Sequence, residues 1–224
     1  MPDFSKRSTQ AELMDTEEAG YDDYAQCLHH LALINTYTLA YNPTLKWIKE
    51  LRPATILDVG SGGGDMMRKI SKKSQAAITG ADMNPYSKRY ADALTPDNAP
   101  LSYVTENAFD LNFEDKPDAI ISSLFTHHLS DEELVTFIKW MNQTAQKGWL
   151  INDLHRHPIA YYFIKAVTVV FPFHRFVKHD AAISVARAFT RKDWINFLNA
   201  ANIPEYRTKI TWHFPFRYCV SCRT

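Results

Sequence analysis

Residues 55–65 read Thr-Ile-Leu-Asp-Val-Gly-Ser-Gly-Gly-Gly-Asp, and no other stretch limits the fold so sharply. Ile56, Leu57 and Val59 form a short apolar run rich in β-branched residues, as expected of a strand buried on both faces. The run stops at Gly60, and glycine returns at 62, 63 and 64. Met66, Met67 and Ile70 then fall at helical spacing. Strand, glycine turn and helix open a nucleotide-binding βαβ unit. Lacking Cβ, the glycines accept positive φ and let backbone N–H groups approach a ligand closely. Ala77 to Ala81 predicts the next strand, closed by Asp82. A carboxylate at that point can accept hydrogen bonds from both hydroxyls of a ribose.

The rest of the chain alternates in the same way. Tyr86 to Leu94, opened by Asn84-Pro85, reads as a crossover helix, and Leu101 to Asn107 as strand three. Ala119 to Leu124 is a continuous apolar run with two serines near its end, hence a buried strand four. Ser130 and Glu133 have the spacing of a capping box, with Leu134, Phe137, Ile138 and Met141 as the buried face of the helix it starts. Gly148 to Leu154 is strand five. Thr190 caps a helix carrying Trp194, Ile195 and Leu198 on one face, and residues 205–212 and 216–222 close the sheet as an antiparallel pair. Alternation in this order predicts an α/β, Rossmann-like three-layer sandwich with a seven-stranded, mostly parallel sheet.

Two segments lie outside that alternation. Residues 1–52 read as a helical cap before the main domain, which spans 53–224. Tyr24, Cys27, Leu28, Leu31, Ile34, Thr38 and Tyr41 recur at helical spacing, Pro43 interrupts them, and 45–51 forms a second amphipathic helix. They either pack on the sheet or close over a cleft, with Asn35 and Tyr37 facing in. The second segment is a helical insertion over about 157–188. Within it, 159–176 is rich in aromatic and branched residues but is broken by Lys165 and Pro172, so it is no membrane span. It reads as a core helix or as the wall of a pocket for a hydrophobic substrate, with peripheral contact at a membrane edge as a third role.

The Asp58-to-Asp65 block resembles motif I of the class I S-adenosylmethionine-dependent methyltransferases, with Asp58 inside the strand end. Residues 106–113 (Glu-Asn-Ala-Phe-Asp-Leu-Asn-Phe) resemble a later block of that family, and 119–129, ending His-His-Leu, resemble its fourth strand and exit loop. Asn107 stands where the family usually has Asp, Glu106 where it has Gly, and Asn112 where it has Pro. An Asn can still donate to and accept from a base edge. Asn152-Asp153-Leu154-His155-Arg156 and Ser184-Val185-Ala186-Arg187-Ala188-Phe189-Thr190 further resemble a bacterial subgroup related to quinone-biosynthesis methyltransferases and associated with phenolic or polyketide products.

The resemblance implies methyl transfer from S-adenosylmethionine, leaving S-adenosylhomocysteine. It assigns Asp58, Gly60, Ser61, Gly62 and Asp65 to the methionine side of the cofactor. Asp82 and Met83 go to the ribose and adenine, Asn107, Ala108 and Phe109 to the base edge, and Ser122 and Ser123 to the region of the methyl group. His127, His128 and Asp153 are the candidate catalytic residues, for the exit loops of strands four and five face the cleft in this topology. Arg156, His157, Tyr161 and Arg187 are candidates for the acceptor, an arginine being suited to an acidic or phenolate oxygen.

Several other classes fare worse. With 25 Lys and Arg against 25 Asp and Glu, net charge is zero, which gives no field to attract nucleic acid. The Asn/Asp-Pro-Pro-aromatic block of amino-methylating nucleic-acid enzymes is also missing after strand four, where the chain reads Ser-Ser-Leu-Phe. A metal site at His127, His128, His155 and His157 is not expected, because no acid-rich set accompanies them. Cys219 and Cys222 have no partner pair and would face opposite sides of a strand. Three cysteines and a polar, charged first eighteen residues fit a reducing cytoplasm without a secretory leader. A non-catalytic S-adenosylmethionine-binding or partner-docking module is the alternative from outside enzymology.

Overall fold

A computed structural model describes residues 2–17 and 19–224. Seven strands form one sheet: β1 (Thr55–Val59), β2 (Ala77–Asp82), β3 (Leu101–Thr105), β4 (Ala119–Ser123), β5 (Gly148–Leu154), β6 (Thr208–His213) and β7 (Arg217–Arg223). Their spatial order is β3-β2-β1-β4-β5-β7-β6. The first five run parallel, and β7 pairs antiparallel with both β5 and β6. The order in which strands are added switches sides between β1 and β4, which is where a sheet of this kind opens a crevice at the carboxyl ends of its strands.

The helices are α1 (Leu13–Thr16), α2 (Tyr21–Tyr37), α3 (Asn42–Leu51), α4 (Asp65–Ser71), α5 (Pro85–Leu94), α6 (Asp131–Thr144), α7 (Pro158–Val170), α8 (Arg175–Arg187) and α9 (Arg191–Ala200). Strand alternation divides the apolar residues between two layers. Leu57, Val59, Ile120, Trp149, Ile151 and Val220 pack with α6 and α9. Ile56, Ile78, Ile121, Leu150 and Cys219 pack on the opposite face with α3, α4 and α5. Cys222 belongs to the first layer and Cys219 to the second, as their spacing on a strand requires. A third, smaller cluster of Cys27, Phe176 and Val177 ties α2 to α8.

Local signals set the boundaries. Asn84 caps α5 by accepting from the Tyr86 N–H, and Ser130 with Glu133 completes the capping box of α6. Thr190 with Asp193 does the same for α9. Strand three ends two residues earlier than expected, because the Asn107 side chain turns back to accept from the Phe109 N–H and starts a 3₁₀ turn. Residues 205–207 likewise form a 3₁₀ turn, so β6 starts at Thr208. Ile195 is 37% exposed, and Phe197 replaces it on the buried face of α9. The insertion is two helices, α7 and α8, separated around Pro172. Among the described residues no helix is long and apolar enough to cross a membrane.

Candidate active site

The carboxyl ends of β1, β2, β4 and β5 open into one cavity of about 1060 Å³, roofed by α1, α2, α7 and α8. Its floor is the glycine turn. Gly60, Gly62 and Gly64 all have positive φ (69°, 49° and 70°), which a side chain tolerates poorly. The turn is anchored to β2: the Gly60 and Ser61 N–H groups donate to the Ala81 carbonyl, and the Gly62 N–H donates to Asp82 Oδ2 at 2.9 Å. Asp82 Oδ1 accepts from the Asn84 N–H at 2.9 Å. Each carboxylate oxygen therefore keeps acceptor capacity, and the residue lines the cavity.

Asp58, Gly60, Ser61, Gly62, Asp65, Asp82, Met83, Asn107, Ala108, Phe109 and Ser123 all border this cavity. Asp58 is buried, its Oδ1 has no partner, and burial pushes its carboxyl well above the usual range, helped by the charges of Asp65 and Asp82. Asp65 accepts from the Tyr41 hydroxyl. Met83 is 74% exposed at the rim, so it is not core. Asn107 spends its carbonyl oxygen on the Phe109 N–H, leaving the amide NH₂. Ser122 departs from the sequence expectation: it is buried and donates to the Val59 carbonyl at 3.0 Å, within the sheet rather than on the cavity wall.

The strand-four exit forms a tight 3₁₀ turn over Thr126–His128. Asp153, fully buried, holds it from below. Its Oδ2 accepts from the Thr126 hydroxyl and the His127 N–H, and its Oδ1 lies 2.7 Å from His127 Nδ1. Burial opposes ionisation of Asp153, but His127 and Thr126 outweigh it and hold the carboxyl down to about 2. Asp153 does not itself reach the cavity; it positions His127. Nor does it cap α7, a role taken by His157, which accepts from the Ile159 N–H. His128 Nδ1 lies 2.9 Å from Asp15 Oδ2. Burial disfavours the charged ring of His128, yet Asp15 and Glu12 raise its pKa on balance.

The four acceptor candidates stand elsewhere. Arg156 is buried and donates to the carbonyls of Phe4 and Ala188, with Nη2 2.9 Å from Asp193 Oδ2. Arg187 donates to the carbonyls of His127 and His128 behind the turn. His157 stacks on Phe216, and Tyr161 packs against Phe4 and Tyr162. None of the four borders the cavity. The chemistry of the two arginines suits an anion, but backbone carbonyls of other segments claim it first. Arg156→Ala is accordingly expected to lower unfolding free energy by about 3 kcal/mol, the usual scale for breaking a buried ion pair. Chemical denaturation measures that loss, and S-adenosylmethionine affinity should not move. Tyr37, expected to face in, is 83% exposed, whereas Asn35 does reach the cavity.

Two residues outside the expected site set complete the wall. Glu12, only 4% exposed, faces both histidines: its Oε1 is 3.8 Å from His127 Nε2, and its Oε2 is 3.9 Å from His128 Nε2. One buried acid thus accompanies two of the four histidines, where no acid-rich set is expected from the sequence. His155 and His157 lie apart from the group. Arg217, 4% exposed on β7, places its Nη2 3.3 Å from Asn35 Oδ1, while its Nε and Nη1 have no partner. Burial lowers its pKa to about 10. Asn152 Oδ1 and Ser123 Oγ on the same wall are also unpartnered. No spacing rule marks Glu12 or Arg217, because each reaches the site only through tertiary packing.

His155 shows how strongly the neighbouring loop is desolvated. Burial, then the charges of His157 and Arg156, push its imidazole down to about 4, and its Nδ1 accepts from Trp212 Nε1 at 3.2 Å. A ring titration followed by NMR should have its midpoint near 4. Because the folded value lies below the ordinary one near 6.5, the unfolded chain binds the proton more readily. This residue's contribution to stability therefore falls as pH drops from about 6.5 to about 4, and is constant below that.

Residues 56–148 match the model of a family described as a methyltransferase domain. No curated protein matches the chain. Among solved structures, the chain is similar to magnesium protoporphyrin IX methyltransferase from Synechocystis PCC 6803 with bound S-adenosylhomocysteine. Identity is 15%, coverage is 84% of this chain and 82% of that one, and the TM-score is 0.57. It is also similar to the plantazolicin methyltransferase in complex with S-adenosylhomocysteine, at 13% identity over 90% and 96% of the chains, with a TM-score of 0.65. Human N-acetylserotonin methyltransferase in complex with S-adenosylmethionine aligns at 12% identity over 92% of this chain and 56% of that one, with a TM-score of 0.69. The sheet and its flanking helices have the Rossmann-like fold of these methyltransferases, and residues 56–148 match the methyltransferase-domain model.

Proposed function

We propose that this chain is an S-adenosylmethionine-dependent methyltransferase acting on a small hydrophobic, hydroxylated aromatic acceptor. One observation carries the reading: a single cavity joins the glycine turn and Asp82 to a wall of Leu28, Leu31, Phe163 and Ile164 interrupted by Arg217, two of whose nitrogens are unpartnered. The cofactor fits the first half. A Cβ on Gly62 would meet only Leu28, at 3.7 Å, so the turn leaves space above it. Asp58 Oδ1 and Ser123 Oγ are orphaned acceptor and donor groups beside that space.

When bound, S-adenosylmethionine supplies a methyl group already activated on a sulfonium. The protein's task is alignment and, for a hydroxyl acceptor, removal of a proton. Asp82 binds the ribose hydroxyls, and Asn107, Ala108 and Phe109 border the base. The acceptor lies on the side of β4, β5 and β7. Arg217 binds an acidic oxygen of the acceptor, and the hydroxyl that loses its proton faces the wall of Glu12, His127 and His128. Residues 1–52 act as a cap, since Glu12, Met14, Leu28, Leu31 and Ile34 roof the cavity. Most of the remaining apolar side chains of α7, among them Ile159, Tyr162 and Val170, face solvent rather than the pocket, which suits a helix that meets a membrane edge. Three free, buried cysteines fit a reducing cytoplasm.

The test is calorimetry with S-adenosylmethionine, followed by incubation with hydroxybenzoates and other phenols under mass spectrometry. Binding with a one-methyl mass gain in the acceptor and release of S-adenosylhomocysteine is expected. Binding without turnover on any phenol would return the chain to a non-catalytic cofactor-binding module.

A further inference from the structure

The Glu12, His127 and His128 side chains bring three ligand atoms within 4.8 Å of one another at the cavity wall. We infer that this group is a binding site for a divalent first-row transition ion, and that the ion holds the acceptor's oxygen; the second half of this inference rests on the methyltransferase reading.

The orientation of the rings is the first argument. Each histidine has its Nδ1 tied to a different carboxylate, His127 to Asp153 at 2.7 Å and His128 to Asp15 at 2.9 Å. Carboxylates in that position fix the ring, place the proton on Nδ1 and leave Nε2 as a ligand, the usual arrangement behind metal-bound histidines. Both Nε2 atoms then face the same buried carboxylate, Glu12, at 3.8 and 3.9 Å. Those gaps are too long for hydrogen bonds. Ligands about 2.0–2.2 Å from a common ion in tetrahedral geometry lie about 3.3–3.6 Å apart, so a contraction of about 1 Å closes the set.

Charge is the second argument. Glu12 is buried, accepts from the Ser184 hydroxyl at 2.9 Å, and among the described residues pairs with no lysine or arginine. A buried carboxylate needs positive compensation. Asp15 and Asp153 add negative charge behind the rings. Arg187 and Arg7 stand nearby, but their guanidinium groups are engaged with the turn's carbonyls, Asp131 and, at 3.5 Å, Asp15. Those bonds, with the Thr126 and His127 N–H contacts to Asp153, make the turn rigid, as a preorganised site requires.

Two imidazoles and one carboxylate, with the remaining side open to a cavity, suit Zn²⁺, Fe²⁺, Mn²⁺ or Co²⁺ rather than Ca²⁺ or Mg²⁺. An ion there would acidify an acceptor hydroxyl. Its proton passes to water, the oxygen bonds to the methyl carbon, the carbon–sulfur bond breaks, and its electron pair stays on sulfur.

Co²⁺ is the probe, added to the metal-stripped full chain and followed by visible absorption and calorimetry. One ion per chain is expected. Glu12→Gln and His128→Ala should each weaken binding by at least about 100-fold, and Asp15→Asn by about 10–100-fold. His29→Ala, an exposed histidine elsewhere, should have no effect. Circular dichroism establishes that each variant is folded. No Co²⁺ uptake by the folded wild type, or uptake that survives both ligand substitutions, overturns the site. S-adenosylmethionine affinity, measured on the same samples, tests the methyltransferase reading separately: Co²⁺ uptake without cofactor binding keeps the site and removes only its assigned role.

Discussion

Gly62→Val is expected to weaken S-adenosylmethionine binding by more than about 100-fold while leaving a folded protein. Three glycines that look alike in the sequence differ in what a side chain would meet. A Cβ on Gly60 would lie 2.6 Å from the Phe125 ring, and one on Gly64 would lie 2.5 Å from the Tyr103 hydroxyl. Side chains at those two positions collide with protein, so their substitutions should damage the fold first. At Gly62 the nearest atom is Leu28 Cδ2 at an ordinary 3.7 Å. The cost there is the strain of φ at 49°, of order 1–3 kcal/mol. The two valine methyls would project into the space above the turn. They would also disturb the Gly62 N–H that donates to Asp82, so the damage would reach the end of β2. A hundredfold loss corresponds to about 2.7 kcal/mol. Calorimetry and a urea titration on the same variant separate the effects. An unchanged affinity would mean that the cofactor does not lie on this turn.

The sheet was legible because its signals are local. Glycines that stop an apolar run, a capping box at Ser130, and a threonine cap at Thr190 each act over three or four residues. The strands they bound fall at or within a few residues of the expected places. The glycine-turn side of the cavity was legible for the same reason, since the turn, Asp58 and Asp82 sit at fixed offsets from strand ends. Ser122 shows the limit of this logic. Neighbouring residues on a strand face opposite sides, and only Ser123 reaches the cavity.

The opposite wall of the cavity was not legible, for a physical reason. Arg156 and Arg187 have suitable chemistry and lie in suggestive blocks. Yet an arginine satisfies five donors wherever carbonyls converge, and both find them on backbone segments far away in sequence. Asp153 likewise belongs beneath the turn rather than beside a substrate. The groups that do line the wall come from opposite ends of the chain, Glu12 before α1 and Arg217 at the start of β7. Their meeting depends on α1 packing against α8 and on the antiparallel register that pairs Leu154 with Arg217. No single-sequence pattern encodes either contact.

Arg217 also allows a test in which stability and activity should move in opposite directions. Its guanidinium is buried, and two of its nitrogens are unpartnered. An unmatched buried cation is costly, and an apolar residue of similar length often stabilises such a position by about 1–4 kcal/mol. Arg217→Met is therefore expected to raise the thermal midpoint. The same change removes the donors that an acidic acceptor would meet. A hydrogen bond to a charged group contributes about 1.5–3 kcal/mol, so kcat/KM for a hydroxybenzoate should fall by about 10–100-fold. S-adenosylmethionine affinity should stay within about twofold, because Arg217 lies on β7, with β5 and β4 between it and the glycine turn after β1. Differential scanning calorimetry, cofactor titration and steady-state kinetics on one preparation give all three numbers. A variant that lost cofactor affinity would move Arg217 to the donor side. One that lost stability would show that its charge is already compensated within the fold, by Asp153 and Asn35, and is not held for a ligand.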